Sequence, residues 1–373
     1  MPLKKTSTLL LAAIAVLAAA SQPLGAGYVS VYRIKTTYIA EGKGVIGEEI
    51  YSKTFLLAPA IQGWQRPINY SLYINGERAE ASVKRDSQGN RYLYPGKPLR
   101  FSGRVNITLV EYVEVIPPPQ REVRLPPDKC EASTWQQERY LYLGGFWGHP
   151  YGETTLDDLR KLAETLGGRG LQYIYRVTAW VLTNTRYRLG VRGGVSYPTE
   201  FYVEKTGACG DIHAFITAML RIKGIPSYLY YAYIYRENAS MKLLGQKASY
   251  ATRNAMPHIF SMAVLCGKSF PIDLTYPTAR DPYSAVREAG VNTGDRVIVL
   301  ARIIDADPND YLLVYAPSNT SRVSLTVDVE KIVAYRAGHS ASALLAILSL
   351  LLIAALALLS LLKPSTTVGA DYV

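Results

Sequence analysis

Along this chain of 373 residues the spacing of hydrophobic positions changes character twice. Over 28–115 apolar and polar residues alternate, as in Tyr28-Val29-Ser30-Val31-Tyr32, Tyr70-Ser71-Leu72-Tyr73-Ile74 and Val105-Asn106-Ile107-Thr108-Leu109. That is the period of half-buried strands. Asn75-Gly76 and Gly89-Asn90 are hairpin-type turn signals. No helical period interrupts them, so a β-sandwich is expected over 27–116. Pro117-Pro118-Pro119 and Pro126-Pro127 then predict an extended linker over 117–129.

Beyond the linker the period becomes helical. Leu156, Leu159, Leu162, Ala163 and Leu166 form one stripe. Thr154 or Thr155 can cap it, Asp157 and Asp158 suit its first turn, and Gly167 ends it. Leu171, Ile174, Tyr175, Thr178, Val181 and Leu182 form a second stripe. A third helix starts at Cys209, with Ile212, Phe215, Ile216, Met219 and Leu220 on one face and Gly224 and Pro226 as its stop. Strand patterns return over 228–235, 258–265 and 269–276, and again over 297–304, 311–315 and 323–329. The pattern predicts an α+β core of helices packed on an antiparallel sheet over 130–290, followed by a β-rich extension over 291–338.

Two apolar runs lie outside these elements. Residues 9–20 follow Lys4 and Lys5 and read as a secretory signal over 1–26, or as an uncleaved anchor. Residues 341–362 carry no charge and are long enough to cross a bilayer of ~30 Å. Lys363 follows, which sets the tail 363–373 on the cytoplasmic side. The expectation is a body outside the cytoplasm, held to the cell membrane by one C-terminal transmembrane helix. Sequons at Asn69, Asn106, Asn238 and Asn319 suit that placement. The net charge is +11, yet Lys and Arg are scattered with no basic run, so nucleic acid is not an expected partner.

Three cysteines, Cys130, Cys209 and Cys266, make an odd number for an exported chain. Either Cys130 pairs with Cys266 and leaves Cys209 free, or all three are reduced. Cys209 lies in Gly207-Ala208-Cys209-Gly210-Asp211, at the first turn of a helix. Unpaired backbone N–H groups and the helix dipole favour a thiolate there, and flanking glycines leave the sulfur open to a carbonyl. On this stretch alone two readings stand: an activated nucleophile or a buried structural cysteine.

A cysteine nucleophile needs a base, and only four histidines exist. His339 adjoins the apolar run, His149 sits in a Gly-His-Pro loop, and His213 shares a helix face with Cys209 and is expected to pack or bond within the core. His258 opens an apolar strand, and a hairpin near Leu265–Cys266 would bring Asp273 roughly opposite it. An Asp inside an apolar strand needs a partner, and a carboxylate beside imidazole fixes its tautomer. Cys209, His258 and Asp273 are therefore the candidate catalytic residues. Trp180 and Asp211 are left outside, the first as packing and the second as a cap or a pairing partner near the helix start. No CxxC, HExxH or EF-hand loop occurs, so neither a metal nor another cofactor is expected.

These residues carry a resemblance. Gly207-Ala208-Cys209-Gly210-Asp211 with Leu220-Arg221-Ile222-Lys223-Gly224-Ile225-Pro226, and Pro271-Ile272-Asp273-Leu274-Thr275, resemble the nucleophile helix and the acid-bearing strand of the transglutaminase-like superfamily. Residues 155–280 carry the likeness, and 28–115 is similar to the β-domain that often accompanies such cores. The resemblance implies a papain-like fold and thiol acyl transfer through Cys209, His258 and Asp273 on a protein or peptide substrate at the cell surface. Hydrolysis as a peptidase or amidase is favoured over cross-linking, because it needs only water. The other expectations are a surface binding or scaffold protein that keeps the fold without turnover, and a structural envelope anchor.

Overall fold

Two long hairpins frame the molecule, a computed structural model that describes residues 28–116, 137–189, 193–274 and 296–336 together with Val286. The first pairs β1 (Tyr28–Ile46) with β7 (Leu99–Val115) over their whole length. Between them in sequence lie α1 (Glu48–Thr54), β2 (Leu56–Leu57), β3 (Gln65–Ile74), β4 (Glu77–Ala79), β5 (Ser82–Arg85) and β6 (Arg91–Tyr94). The helical segment follows: α2 (Gln137–Tyr140), α3 (Leu156–Leu166), α4 (Gly170–Asn184), β8 (Arg186–Tyr187), α5 (Pro198–Glu204), β9 (Thr206–Gly207) and α6 (Cys209–Ile222). The second hairpin is β10 (Ser227–Leu244) with β11 (Ala248–Leu265), and β12 (Lys268–Ile272), β13 (Val297–Ile303), α7 (Asn309–Leu312) and β14 (Thr320–Arg336) complete the order.

The strands of 28–115 are not confined to a sheet system of their own, as a separate β-sandwich over 27–116 would be. They join the core strands in one nine-stranded sheet, ordered β13-β10-β11-β14-β1-β7-β3-β4 with β12 on β11. A small β2-β6-β5 sheet shares a buried core with β1, β3 and β7. The link is β14, which runs parallel to β11 from Ala248↔Val323 to Arg253↔Asp328 and also neighbours β1. Alternation along a strand is the same whether its sheet ends in a sandwich or continues into another sheet, so the local pattern could not separate the two. Residues 29–334 form one compact unit.

The N-terminal segment also covers the open edge at β13, and it does so with side-chain amides. Gln65 Nε2 donates to Val299 O at 2.8 Å and its Oε1 accepts from Val299 N at 2.8 Å. Asn90 does the same for Arg302, at 2.9 and 2.7 Å. Gln88 Oε1 accepts from Ile304 N and Asp305 N at 2.8 and 3.1 Å. Gln65 and Asn90 each present the donor and acceptor that a neighbouring strand would, and Gln88 presents the acceptor, so the edge is not left as a template for aggregation.

Local chemistry accounts for the helices. Thr155 caps α3, accepting from Asp157 N, while Asp158 accepts from Thr155 N. Gly167 closes α3 at φ 59°. α6 ends in a Schellman arrangement: Ile225 N donates to Leu220 O at 2.9 Å and Gly224 N to Arg221 O at 3.0 Å, with Gly224 at φ 72°. Residues 210–221 of α6 are all buried, so this helix is enclosed rather than amphipathic at a surface. Phe215, Ile216, Met219 and Leu220 are fully covered, each contributing roughly 1.5–3 kcal/mol.

Two local readings are corrected. Residues 48–54 are helical although the sequence suggested strands alone; Glu48 and Glu49 sit in the first turn, and seven residues are too few to show a period. Residues 311–315 are not a strand, because Asp307 accepts from Asn309 N and starts α7 after Pro308. No helix among the described residues is long and apolar enough to cross a membrane. The predicted signal, linker and membrane span lie at residues 1–26, 117–129 and 341–362, outside the described residues.

Candidate active site

Three elements meet at Cys209: the first turn of α6, the middle of β11 and the end of β12. Cys209 is the first residue of α6, with Ala208 as its N-cap. Asp211 holds that turn: its Oδ2 accepts from Ala208 N and its Oδ1 from Ser196 N, both at 2.6 Å. This is the capping role expected of Asp211.

The glycines on either side of the cysteine have packing reasons. A Cβ on Gly207 would lie 2.5 Å from Asp211 Cβ, and one on Gly210 would lie 2.5 Å from Val195 Cγ2 and 3.5 Å from Ile259 Cδ1. Val195 cannot retreat easily, since Asn309 brackets its backbone, accepting from Val195 N at 2.7 Å and donating to Val195 O at 3.0 Å. Gly210→Ala separates two opposite expectations. Helix propensity alone predicts a gain of about 1 kcal/mol. The clash predicts a loss of roughly 1–3 kcal/mol, and we expect the loss. The urea midpoint measures it, and Val195→Ala in the same chain should restore part of it.

His258 sits in mid-strand, not at a strand start, because β11 runs ten residues further back than the apolar stretch and pairs there with β10 and β14. The β11–β12 hairpin turns at Cys266-Gly267, both at positive φ (51° and 69°). Its ladder pairs Leu265 with Lys268 and Ser261 with Ile272. Asp273 therefore lies one residue past the last rung and diagonal to His258 rather than opposite it. Pro271 is tolerated because β12 pairs on one side only.

The structure nonetheless brings the three residues together. His258 Nε2 lies 2.9 Å from Asp273 Oδ2, and the Cys209 side chain is near enough to the same ring to favour its charged form. With Nε2 committed to Asp273, Nδ1 is left for the sulfur. Asp273 is fully buried and His258 is 5% exposed. Burial works against charge on His258. The Asp273 carboxylate, the bond to it and the nearby Cys209 side chain outweigh it and push the imidazole up to about 10. Cys209 is a free, half-buried thiol. Cys266 is disulfide-bonded, and Cys130 lies outside the described residues.

Sequence reasoning assigned His213 to the core and missed its place in this cluster. It is fully buried, its ring edge-on to His258 with centroids 6.2 Å apart and its Nε2 3.7 Å from Asp273 Oδ1. Tyr187 was also missed. It sits opposite Gly207 in the two-residue β8–β9 ladder, and its phenol is pushed up by burial and then by the charges of Cys209, Asp273 and Asp211. Trp180 packs as expected, stacked on Tyr202 and Phe215 with Lys205 Nζ 4.2 Å from its ring centroid. Among the described residues no group of three or more His, Cys, Asp or Glu is placed to hold a metal ion.

Residues 160–270 match the transglutaminase-like superfamily. Among solved structures the chain is similar to a proposed cysteine protease from Cytophaga hutchinsonii, at 14% identity and TM-score 0.46, covering 83% of this chain and 91% of that one. It is similar to the periplasmic domain of TgpA from Pseudomonas aeruginosa bound to ethylmercury, at 13% identity and TM-score 0.28, covering 73% and 95%. A proposed protease from Parabacteroides distasonis is similar at 12% identity and TM-score 0.29, covering 77% and 65%. No curated protein matches the chain.

Proposed function

We propose that this protein, whose residues 160–270 form a transglutaminase-like domain, is a thiol acyl-transfer enzyme in which Cys209 is the nucleophile, His258 the acid–base and Asp273 its orienting carboxylate. The observation that carries the reading is His258 bonded to a buried carboxylate while its ring also feels the Cys209 side chain, the only free thiol among the described residues. Asp273 favours the imidazolium, and the imidazolium with the first turn of α6 favours the thiolate. The thiolate attacks an amide or ester carbonyl, forming an S–C bond and an oxyanion. The backbone N–H of Cys209 is the proposed donor to that oxygen, a kind of contact worth on the order of 3–4 kcal/mol. His258 then gives its proton to the leaving amine or alkoxide as the C–N or C–O bond breaks. Water, its proton taken by His258, displaces Cys209 and releases the acid.

Hydrolysis is the proposed outcome, since it requires no second amine site, and a protein or peptide outside the cytoplasm is the proposed substrate. The disulfide at Cys266 supports an oxidising compartment, and the apolar segments 1–26 and 341–362 support export and anchoring.

Iodoacetamide labelling of Cys209 across pH tests the reading. The imidazolium is present below its raised pKa and is lost as pH rises through about 10. Wild-type labelling should therefore be rapid at pH 6 and flat through neutrality. In His258→Ala the thiol should follow an ordinary pKa near 8.5, so labelling at pH 6 should fall by about 10²-fold. A wild-type rate that already follows the ordinary curve would indicate a protein that keeps the fold without turnover.

A further inference from the structure

The second buried histidine has hydrogen bonds that determine its tautomer. His213 Nδ1 lies 2.8 Å from Cys209 O, which can only accept. His213 Nε2 lies 3.2 Å from Leu274 N, which can only donate. The proton is therefore on Nδ1, and the ring is a neutral imidazole with its lone pair turned to the amide that follows Asp273. Its backbone is fixed as well. His213 O accepts from Ser261 Oγ at 2.9 Å, and Ser261 Oγ lies 3.1 Å from Thr217 Oγ1.

We infer that His213 is a positioning residue for the Cys209–His258–Asp273 site: one neutral ring ties the carbonyl of the nucleophile to the backbone of the acid. The inference rests on the proposed function above. The need for such a tie follows from the hairpin register. Asp273 is one residue beyond the last β11–β12 rung, so no sheet ladder fixes it. The Leu274 N–H held by His213 and the Oδ2 held by His258 are two of its anchors. Cys209 needs a similar hold, because it is a first-turn residue.

The tie works in one protonation state only. A proton on Nε2 would face the Leu274 N–H, donor against donor, and would offer Asp273 Oδ1 a second cation 3.7 Å away in competition with His258. Burial, opposed by Asp273 and reinforced by His258, keeps the ring neutral by pushing its pKa down to about 4. Among the charged or titratable groups around it, Asp273 and His258 are the ones that act on it, and Cys209 contributes through its carbonyl.

The test uses the full chain, iodoacetamide labelling of Cys209 and p-nitrophenyl acetate turnover. His213→Phe keeps ring volume and loses both bonds. It should lower kcat by on the order of 10²-fold with little change in KM, and shift labelling toward the ordinary thiol curve. His213→Gln can donate to Cys209 O and accept from Leu274 N through one amide, and should restore kcat to within about tenfold. Glutamine takes up no proton, so the acid limb of His213→Gln should lie below that of wild type. A His213→Phe protein with wild-type kcat and labelling overturns the inference. If His213→Phe does not fold, a His213→Gln acid limb identical to wild type overturns it. A wild-type thiol that titrates normally and does not respond to His258→Ala would instead remove the triad reading, and the positioning role with it.

Discussion

Asp273→Asn should lower kcat of the proposed acyl transfer by about 10³–10⁴-fold while the chain stays folded. Asparagine matches the shape of the site. Its Oδ1 can accept from His258 Nε2, where the carboxylate oxygen now lies at 2.9 Å. The substitution thus removes charge and little else. Burial is the largest influence on His258 and opposes protonation, and the Asp273 charge is what overcomes it. Without that charge the imidazole should titrate far below about 10, and the thiolate–imidazolium pair should not persist at neutral pH. Linkage gives an independent readout. A histidine raised from 6.5 to about 10 stabilises the fold fully below pH 6.5 and loses that contribution as pH rises toward 10. Wild type should weaken across that window, and Asp273→Asn should weaken much less. Stopped-flow turnover and chemical denaturation between pH 6 and 10 read the two effects separately. An Asp273→Asn enzyme within tenfold of wild type would place the activity elsewhere.

Much of this site was legible because its signals are local. The start of α6 at Cys209, its stop at Gly224 and the hairpin that carries Asp273 toward His258 each depend on residues fewer than twenty apart. Those are the distances over which turn chemistry and helix stops act. The diagonal offset of Asp273 was not legible, since it depends on whether the two-residue turn falls at 265–266 or at Cys266-Gly267, a shift of one position that moves the register by two. His213 was set aside for the same kind of reason: position i+4 on a buried helix says that a residue faces inward, not what it meets. Its partner Leu274 is 61 residues away in sequence.

The sheet failed to declare itself for a different reason. Strand 28–46 alternates because one face is buried, and nothing in that alternation says that β14, nearly three hundred residues later, will lie beside it. Gln65, Gln88 and Asn90 looked like ordinary polar residues in turns and strands. Their function is visible only once β13 is in place as an open edge. The glycines around Cys209 show how a right residue can carry an incomplete reason. Access for a carbonyl suggested small residues, but the close contacts with Asp211 and Val195 already require them before any substrate arrives.

The opposite end of α6 gives the largest expected effect on stability. Arg221 is 3% exposed, and its hydrogen bonds go to backbone carbonyls. Its Nε and Nη2 donate to Ser227 O at 3.2 and 2.9 Å, its Nη1 donates to Tyr142 O at 2.8 Å, and Nη2 also donates to Ile304 O. The guanidinium lies 3.9 Å from the Trp147 ring centroid. Burial pushes it down to about 9, so it remains charged at neutral pH, solvated by carbonyl dipoles and a π face. Arg221→Met leaves three carbonyls without their donors, at about 1–3 kcal/mol each. The expected loss is roughly 3–6 kcal/mol, a large share of the 5–15 kcal/mol typical of a folded domain. Arg221→Lys should recover less than half, because an ammonium has no planar fork to spread over three acceptors. Cys209 lies at the other end of a 14-residue helix, about 20 Å away. Protein that remains folded should therefore keep kcat within a few-fold of wild type, while its urea midpoint falls. A kcat loss as large as that of Asp273→Asn would mean that α6 transmits strain along its length rather than holding its two ends independently.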